Sequence, residues 1–92
     1  MNKVYIVVNF GFGTWTGEGS AYATPCASRE KAIAEFERQK QEIIDHIKEN
    51  FPQDEEFDFT YYPADGDRLP HFKIDNNDEV VELSIEVKDI LE

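Results

Sequence analysis

The chain has 92 residues, of which 40% are hydrophobic and 32% are charged, a composition that predicts one small domain over residues 1–92. Its 20 Asp and Glu outnumber its 9 Lys and Arg, and the net charge of −11 argues against direct binding to nucleic acid or to anionic membranes. No apolar run reaches the roughly 18 residues that span a bilayer. The single cysteine, Cys26, fits a reducing compartment, so we expect a cytoplasmic protein.

The N-terminal segment predicts a β-hairpin. Residues 3–10 are β-branched and aromatic on both faces, which is typical of a central strand. Four glycines follow within residues 11–19, and because glycine weakens strands we predict a long hairpin loop there. A short second strand is predicted over residues 21–24, with Pro25 ending its pairing. The loop carries two aromatic residues, Phe12 and Trp15, which either fold back on the core or anchor a partner.

A long amphipathic helix is predicted in the middle of the chain. Ser28 is the predicted N-cap, and from Arg29 to about Asn50 apolar residues recur at helical spacing. The apolar stripe consists of Ala32, Ile33, Phe36, Ile43, Ile44, Ile47 and, just past the end, Phe51. Lys40 is the one gap in the stripe, and its aliphatic stem can cover apolar surface. Pro52 ends the helix, and we expect its apolar face to pack on a sheet.

Three further strands are predicted after the helix. Residues 57–62 alternate aromatic with polar residues, as in a half-buried strand. Residues 71–75 form the next strand, between turns at 63–68 and 76–78. Residues 79–91 fit a strand or a helix, and their β-branched residues favour the strand. The order ββαβββ predicts an α+β fold, with one long helix packed on one face of an antiparallel sheet.

The excess negative charge belongs to the second half of the chain. Residues 1–48 hold six acids and six bases, whereas residues 49–92 hold fourteen acids and three bases. A negative surface speeds salt-sensitive association with a positive one, so we predict a binding surface for a basic protein. The predicted binding residues are Phe12, Trp15, Asp54, Glu55, Glu56, Asp58, Asp65 and Asp67. The alternative is that the acids only keep the protein soluble and blunt its sheet edges.

No motif in the chain predicts a catalytic, cofactor or metal site. The Gly-x-Gly at residues 11–13 lacks the third glycine and the following helix of a dinucleotide fingerprint. Residues 75–86 match a calcium loop in part, but Val80 occupies the position that requires glycine. The nucleophile and imidazole candidates are Cys26, His46 and His71. No spacing links these three into a known catalytic arrangement.

Three functions are compatible with these features. We favour a non-enzymatic acidic binding protein, such as an inhibitor or antidote that docks on a basic, nucleic-acid-binding or toxin partner. The second is a small-ligand or accessory module in which the glycine loop 11–19 covers a pocket. The third is an enzyme using Cys26 or a carboxylate pair, although so small a chain encloses a substrate with difficulty. A homodimer is an open alternative, because a second copy would hide a sheet edge and stabilise the domain.

Overall fold

The computed structural model describes residues 2–13, 17–50, 58–75 and 79–90. In chain order the elements are β1 (Asn2–Gly13), β2 (Gly17–Cys26), α1 (Arg29–Asn50), β3 (Asp58–Tyr62), β4 (His71–Asp75) and β5 (Glu79–Ile90). The strands form an antiparallel sheet in the order β2-β1-β5-β4-β3, and α1 packs on one face of it. The predicted α+β fold is therefore confirmed, as is the choice of a strand over a helix after residue 79.

The N-terminal hairpin is longer than predicted. β1 and β2 stay paired out to Gly13 and Gly17, so most of the predicted loop over residues 11–19 belongs to strands, and that prediction is wrong. β5 supports this stretch from the other side, because it pairs with β1 along the full length of both strands. A ladder that is supported by a neighbouring strand tolerates glycines that would weaken an isolated hairpin.

Pro25 does not end the pairing of β2. It lies opposite Ile6 in the ladder, and Cys26 continues the pairing with Tyr5. β2 is an edge strand, so the missing N–H of a proline can face the side where no strand has to be bonded. β1 lies between β2 and β5 and is a central strand, as predicted.

The core lies between α1 and the sheet face that it covers. Ser28 is the N-cap of the helix, as predicted, because its Oγ accepts a hydrogen bond from the Lys31 N–H at 3.2 Å. The buried apolar side chains are Val7, Ala32, Phe36, Ile43, Ile47, Phe72, Ile74, Val81, Leu83 and Ile85. Ile33 and Ile44 of the predicted stripe pack at the edge of this core, whereas Phe51 and Pro52 lie outside the described residues.

One polar side chain is also buried between the helix and the sheet. Gln39 is 8% exposed, and its amide bridges two strands. Its Oε1 accepts a hydrogen bond from Asn9 Nδ2 at 3.3 Å, and its Nε2 donates to Thr24 Oγ1 at 3.3 Å. This bridge joins α1 to β1 and β2 at one point, and it satisfies an amide that would be costly to bury alone.

The opposite face of the sheet carries no second layer within the described residues. Cross-strand partners point to the same side, so the side chains that alternate with the buried ones form this surface, which we call the open face. It comprises Val4, Ile6, Val8, Phe10, Ala21, Ala23, Pro25, Asp58, Thr60, Tyr62, His71, Lys73, Asp75, Val80, Glu82, Ser84, Glu86 and Lys88. The shortest dimension of the molecule, 18 Å, is that of one helix layer on one sheet.

Candidate functional site

Three of the predicted binding residues lie together at the β3 end of the sheet. Asp58 begins β3, Asp65 and Asp67 occupy the segment between β3 and β4, and all three side chains are exposed. The predicted residues outside the described part of the chain are Trp15, Asp54, Glu55 and Glu56. Phe12 is described by its backbone alone, as a residue of β1. The part of the predicted surface that the structure describes is therefore centred on β3.

β3 is an edge strand that is exposed along its whole length. Its exposed side chains include Phe59 (57%), Tyr61 (39%) and Tyr62 (52%). The prediction of a half-buried strand is wrong, because α1 packs over β1, β5 and β2 and reaches β3 through the Glu37 and Lys40 side chains at Tyr61. Phe57, the first residue of the predicted strand, lies outside the described residues. Three exposed aromatic rings thus stand beside the acids of this edge.

Neighbouring rings hold these aromatic side chains in place. Phe59 and Tyr61 project to the helix side, and each ring centroid lies 6.4 Å from that of the buried Phe72. Tyr62 projects to the open face and stacks on His71 at 6.5 Å. Tilted and offset contacts at such distances are favourable for aromatic pairs. The rings are therefore ordered while much of each remains exposed, and we call Phe59, Tyr61 and Tyr62 the aromatic edge.

Tyr61 is also tied to two side chains of the helix. Its hydroxyl donates to Glu37 Oε1 at 2.6 Å, and Lys40 Nζ lies 3.9 Å above its ring centroid and 2.9 Å from Glu37 Oε2. The hydrogen bond to Glu37, with some burial, raises the pKa of Tyr61. Burial opposes the charge on Lys40, but Glu37 outweighs it and raises the pKa of Lys40. The prediction for Lys40 concerned its aliphatic stem, and the structure adds a cation–π contact between its ammonium group and the Tyr61 ring.

The turn between β3 and β4 is held by a clamp from the start of the helix. Arg29 donates from Nη2 to the carbonyl oxygens of Gly66 at 2.6 Å and Arg68 at 3.3 Å. Gly66 has a φ of 58°, a left-handed conformation that favours glycine, and Asp65 and Arg68 exchange backbone hydrogen bonds around it. The clamp fixes the backbone that presents Asp65 and Asp67 to solvent.

Two like charges face each other beside the aromatic edge. Asp58 and Asp75 are direct cross-strand partners on the open face, an arrangement that is unfavourable without a cation. Lys73 Nζ lies 3.5 Å from the Asp75 carboxylate and offsets part of this repulsion. Asp58 and Asp67 have no ion pair within the described residues. This end of the sheet therefore retains a negative potential.

The three candidates for nucleophilic chemistry lie on separate parts of the fold. Cys26 is half-buried at the end of β2 and donates weakly to the Thr24 carbonyl oxygen at 3.8 Å. His71 is on the open face, on the other side of the sheet, where its Nε2 lies 3.2 Å from Glu82. His46 is 17 residues beyond the start of α1, roughly 25 Å along its axis. Within the described ranges, no three His, Cys, Asp or Glu side chains group as metal ligands.

Sequence reasoning missed the aromatic edge as part of the site. Alternation over residues 57–62 placed the rings of Phe59 and Tyr61 on the buried face, although a signal for exposure was present. Phe59, Tyr61 and Tyr62 put aromatic rings on both faces of one strand, and a strand covered on one side can bury only one such set. Arg29 was missed as well, because its contact with the turn joins residues 37 positions apart.

In the described part of the chain, no helix has the length and apolar character needed to cross a membrane. No family model, curated protein or solved structure matches the chain.

Proposed function

We propose that this chain is a non-enzymatic protein-binding module that holds a basic, extended segment of a partner along β3. The observation that carries this proposal is an edge strand exposed along its whole length, with three aromatic side chains beside uncompensated acids. Aromatic residues contribute most to protein–protein binding when they are ordered and form the centre of an interface. The contacts of Phe59 and Tyr61 with Phe72 supply that order.

The backbone of β3 supports binding by strand addition. β3 pairs with β4 on one side, and in the described part of the chain no strand lies along its other side. The outer N–H and C=O groups of such an edge can bond an added strand, while neighbouring side chains select its sequence. Five residues provide about 17 Å of strand, enough for a short peptide segment.

The charge of this region supports a basic partner. Asp58 lies at one end of β3, and Asp65 and Asp67 follow the other end on a turn fixed by Arg29. A lysine or arginine of the partner near Asp58 would relieve its repulsion with Asp75. Because residues 49–92 hold fourteen acids and three bases, approach of a positive surface is also favoured at long range.

The other functions account for less of the molecule. A purely solubilising role explains the acids but not the ordered, exposed aromatic rings beside them. A lid formed by residues 11–19 loses its basis, because most of these residues are paired in strands. We place the binding in a reducing cytoplasm, where a chain with one cysteine needs no disulfide partner. A nucleic-acid-binding or toxin protein that presents such a basic segment is the target class, which makes the module an inhibitor or antidote.

The test uses a synthetic peptide that alternates arginine with valine as the probe for a basic extended segment. NMR spectra of the ¹⁵N-labelled chain are recorded during titration with this peptide, at low and at physiological salt. We expect amide shifts confined to β3 and the turn up to Arg68. Binding should weaken as salt increases, because the screening length falls. The Phe59→Ser variant should bind less, whereas Tyr22→Ser, which removes an exposed aromatic ring from the other edge strand, should bind normally.

A pair of charge variants separates a local site from general attraction. Asp58→Lys combined with Asp67→Lys changes the charge beside β3, and Asp45→Lys combined with Glu49→Lys makes the same change on the exposed side of α1. The first pair should abolish most of the binding and the second should leave it almost unchanged. Equal losses, or peptide shifts spread over the helix as well as β3, would show that the acids attract cations without a defined site.

A further inference from the structure

The open face has an apolar stripe along its centre that the helix cannot reach. On β1 this stripe consists of Val4, Ile6, Val8 and Phe10. The first three are half-buried by their neighbours, and Phe10 is 45% exposed. Strands with apolar side chains on both faces are typical of sheets that are covered on both sides. The described part of the chain supplies one cover, α1, and leaves the stripe on the other face available to a second molecule.

The centre of the open face is large enough for a weak interface between two copies. β1 and β5 have 12 residues each. At about 3.4 Å per residue and 4.8 Å between strands, these two strands present a flat footprint of roughly 400 Å², and the accessible surface of a side-chain layer exceeds its footprint. Weak interfaces bury less than about 600 Å² per partner, which fits an association in the micromolar range. Ala21, Ala23 and Pro25 of β2 are small and exposed, and they allow a second sheet to approach closely.

The order of charges along β5 matches the open face of a second copy. Consider a two-fold axis that lies between two facing sheets, perpendicular to their strands, above Val7. This rotation sets Val4 of one copy over Phe10 of the other, and Ile6 over Val8. β5 follows the register of β1, so Lys88, which pairs with Val4, falls over Glu82 of the other copy, which pairs with Phe10. Because the operation is two-fold, each contact occurs as a symmetric pair, as an isologous interface requires.

We infer that two copies of this chain associate through their open faces, apolar stripe on apolar stripe, with Lys88 of each copy paired to Glu82 of the other. This arrangement covers Phe10 and leaves the outer edge of β3 free, so it is independent of the proposed binding of a basic segment. Packed sheets cross at about 30°, which displaces the outer residues by a few ångströms. A lysine side chain is long enough to follow its partner over that distance.

The association is measured by sedimentation equilibrium of the full chain over a micromolar concentration range at about 0.15 M salt, where the screening length is about 8 Å. We expect a monomer–dimer equilibrium. Phe10→Ser should shift it toward monomer, and Tyr22→Ser, which removes an exposed aromatic ring from the other side of the sheet, should leave it unchanged. Far-UV circular dichroism and thermal unfolding confirm that each variant is folded.

Charge exchange tests the register of the two copies. Lys88→Glu and Glu82→Lys should each raise the dimer Kd roughly tenfold, since each turns two attractions into repulsions. The double variant should restore the Kd. Within one chain these residues are six positions apart on one strand, about 20 Å, so mutual compensation reports contact between copies. Lys31→Glu, on the exposed side of α1, is the control for net charge.

A parent chain that is monomeric at every concentration refutes the proposed dimer, as does a dimer that Phe10→Ser leaves intact. Glu82→Lys also makes the chain less negative. A dimer that is limited only by general charge repulsion would therefore have a lower Kd in this variant, and that result contradicts the register. A double variant that stays as weak as the single ones also contradicts it. Loss of dimer in Phe10→Ser together with rescue in the double variant supports it.

Discussion

The buried amide of Gln39 provides a direct test of how the helix is positioned on the sheet. We predict that Gln39→Leu destabilises the protein, although leucine is more apolar and sits at a buried position. The substitution removes the hydrogen bonds to Asn9 Nδ2 and Thr24 Oγ1. Asn9 and Thr24 then lose a hydrogen-bond partner. Leaving a buried polar group unpaired costs more free energy than the new apolar contact of leucine contributes.

The expected loss can be worked out from the geometry. Both bonds are 3.3 Å long, at the weak end of the usual range, and each contributes about 0.5–1.5 kcal/mol net. Asn9 and Thr24 are half-buried, so water can bond them again in part. The free energy of unfolding should therefore fall by about 1–2 kcal/mol. For a domain of 92 residues this corresponds to a decrease in Tm of roughly 5–15 °C.

Urea and thermal unfolding followed by circular dichroism measure this loss. Gln41→Leu is the matched control, because Gln41 is exposed on the same helix and its amide bonds Asp45 at the surface. The control should change stability by less than about 0.5 kcal/mol. A Gln39→Leu protein that is as stable as the control, or more stable, would show that the Gln39 bridge does not stabilise the fold. So would strict additivity with Thr24→Val, since bonded partners should show an interaction energy of at least about 0.5 kcal/mol.

Two further predictions concern the hydrogen bond between Tyr61 and Glu37 and the N-cap of α1. The neutral Tyr61 hydroxyl that donates to Glu37 has a raised pKa in the folded state, so its contribution to stability is complete below pH ~10 and is lost as the pH rises through that raised pKa. Glu37→Gln should lower the pKa of Tyr61, measured by ¹³C NMR of labelled tyrosine rings, and an unchanged titration would contradict the hydrogen bond. Ser28→Ala should lower the free energy of unfolding by about 1 kcal/mol, and Ser28→Gly by only a few tenths. Equal losses in urea unfolding would show that the hydroxyl cap is not the cause.

Elements whose signals are local could be predicted well. The spacing of Ala32, Phe36, Ile43 and Ile47 defines the buried face of α1, and the Ser28 hydroxyl caps its first turn. Both depend on residues within a few positions of each other, so local periodicity is sufficient. The alternation of Val81, Leu83 and Ile85 likewise defines the buried face of β5.

The candidate site was predicted only in part, because the exposure of β3 depends on which strands the helix covers. Asp58, Asp65 and Asp67 could be named from charge alone, since acids in turns and at strand ends face water. The rings of Phe59 and Tyr61 were assigned to the core on alternation. Alternation shows which side chains share a face, but not whether that face is covered.

Periodicity and composition were sufficient to predict the number, type and order of the elements and the position of the excess charge. The strand order is a property of the folded chain: it places β5 between β1 and β4, makes β3 an edge and leaves one sheet face without a second layer in the described residues. The fold also assigns glycine-rich residues near the hairpin tip to strands, because β5 supports them. The difference lies in distance along the chain. Element type follows from neighbours a few residues apart, whereas β1 meets β5 across almost the whole sequence, and pairing of that kind leaves no periodic signal.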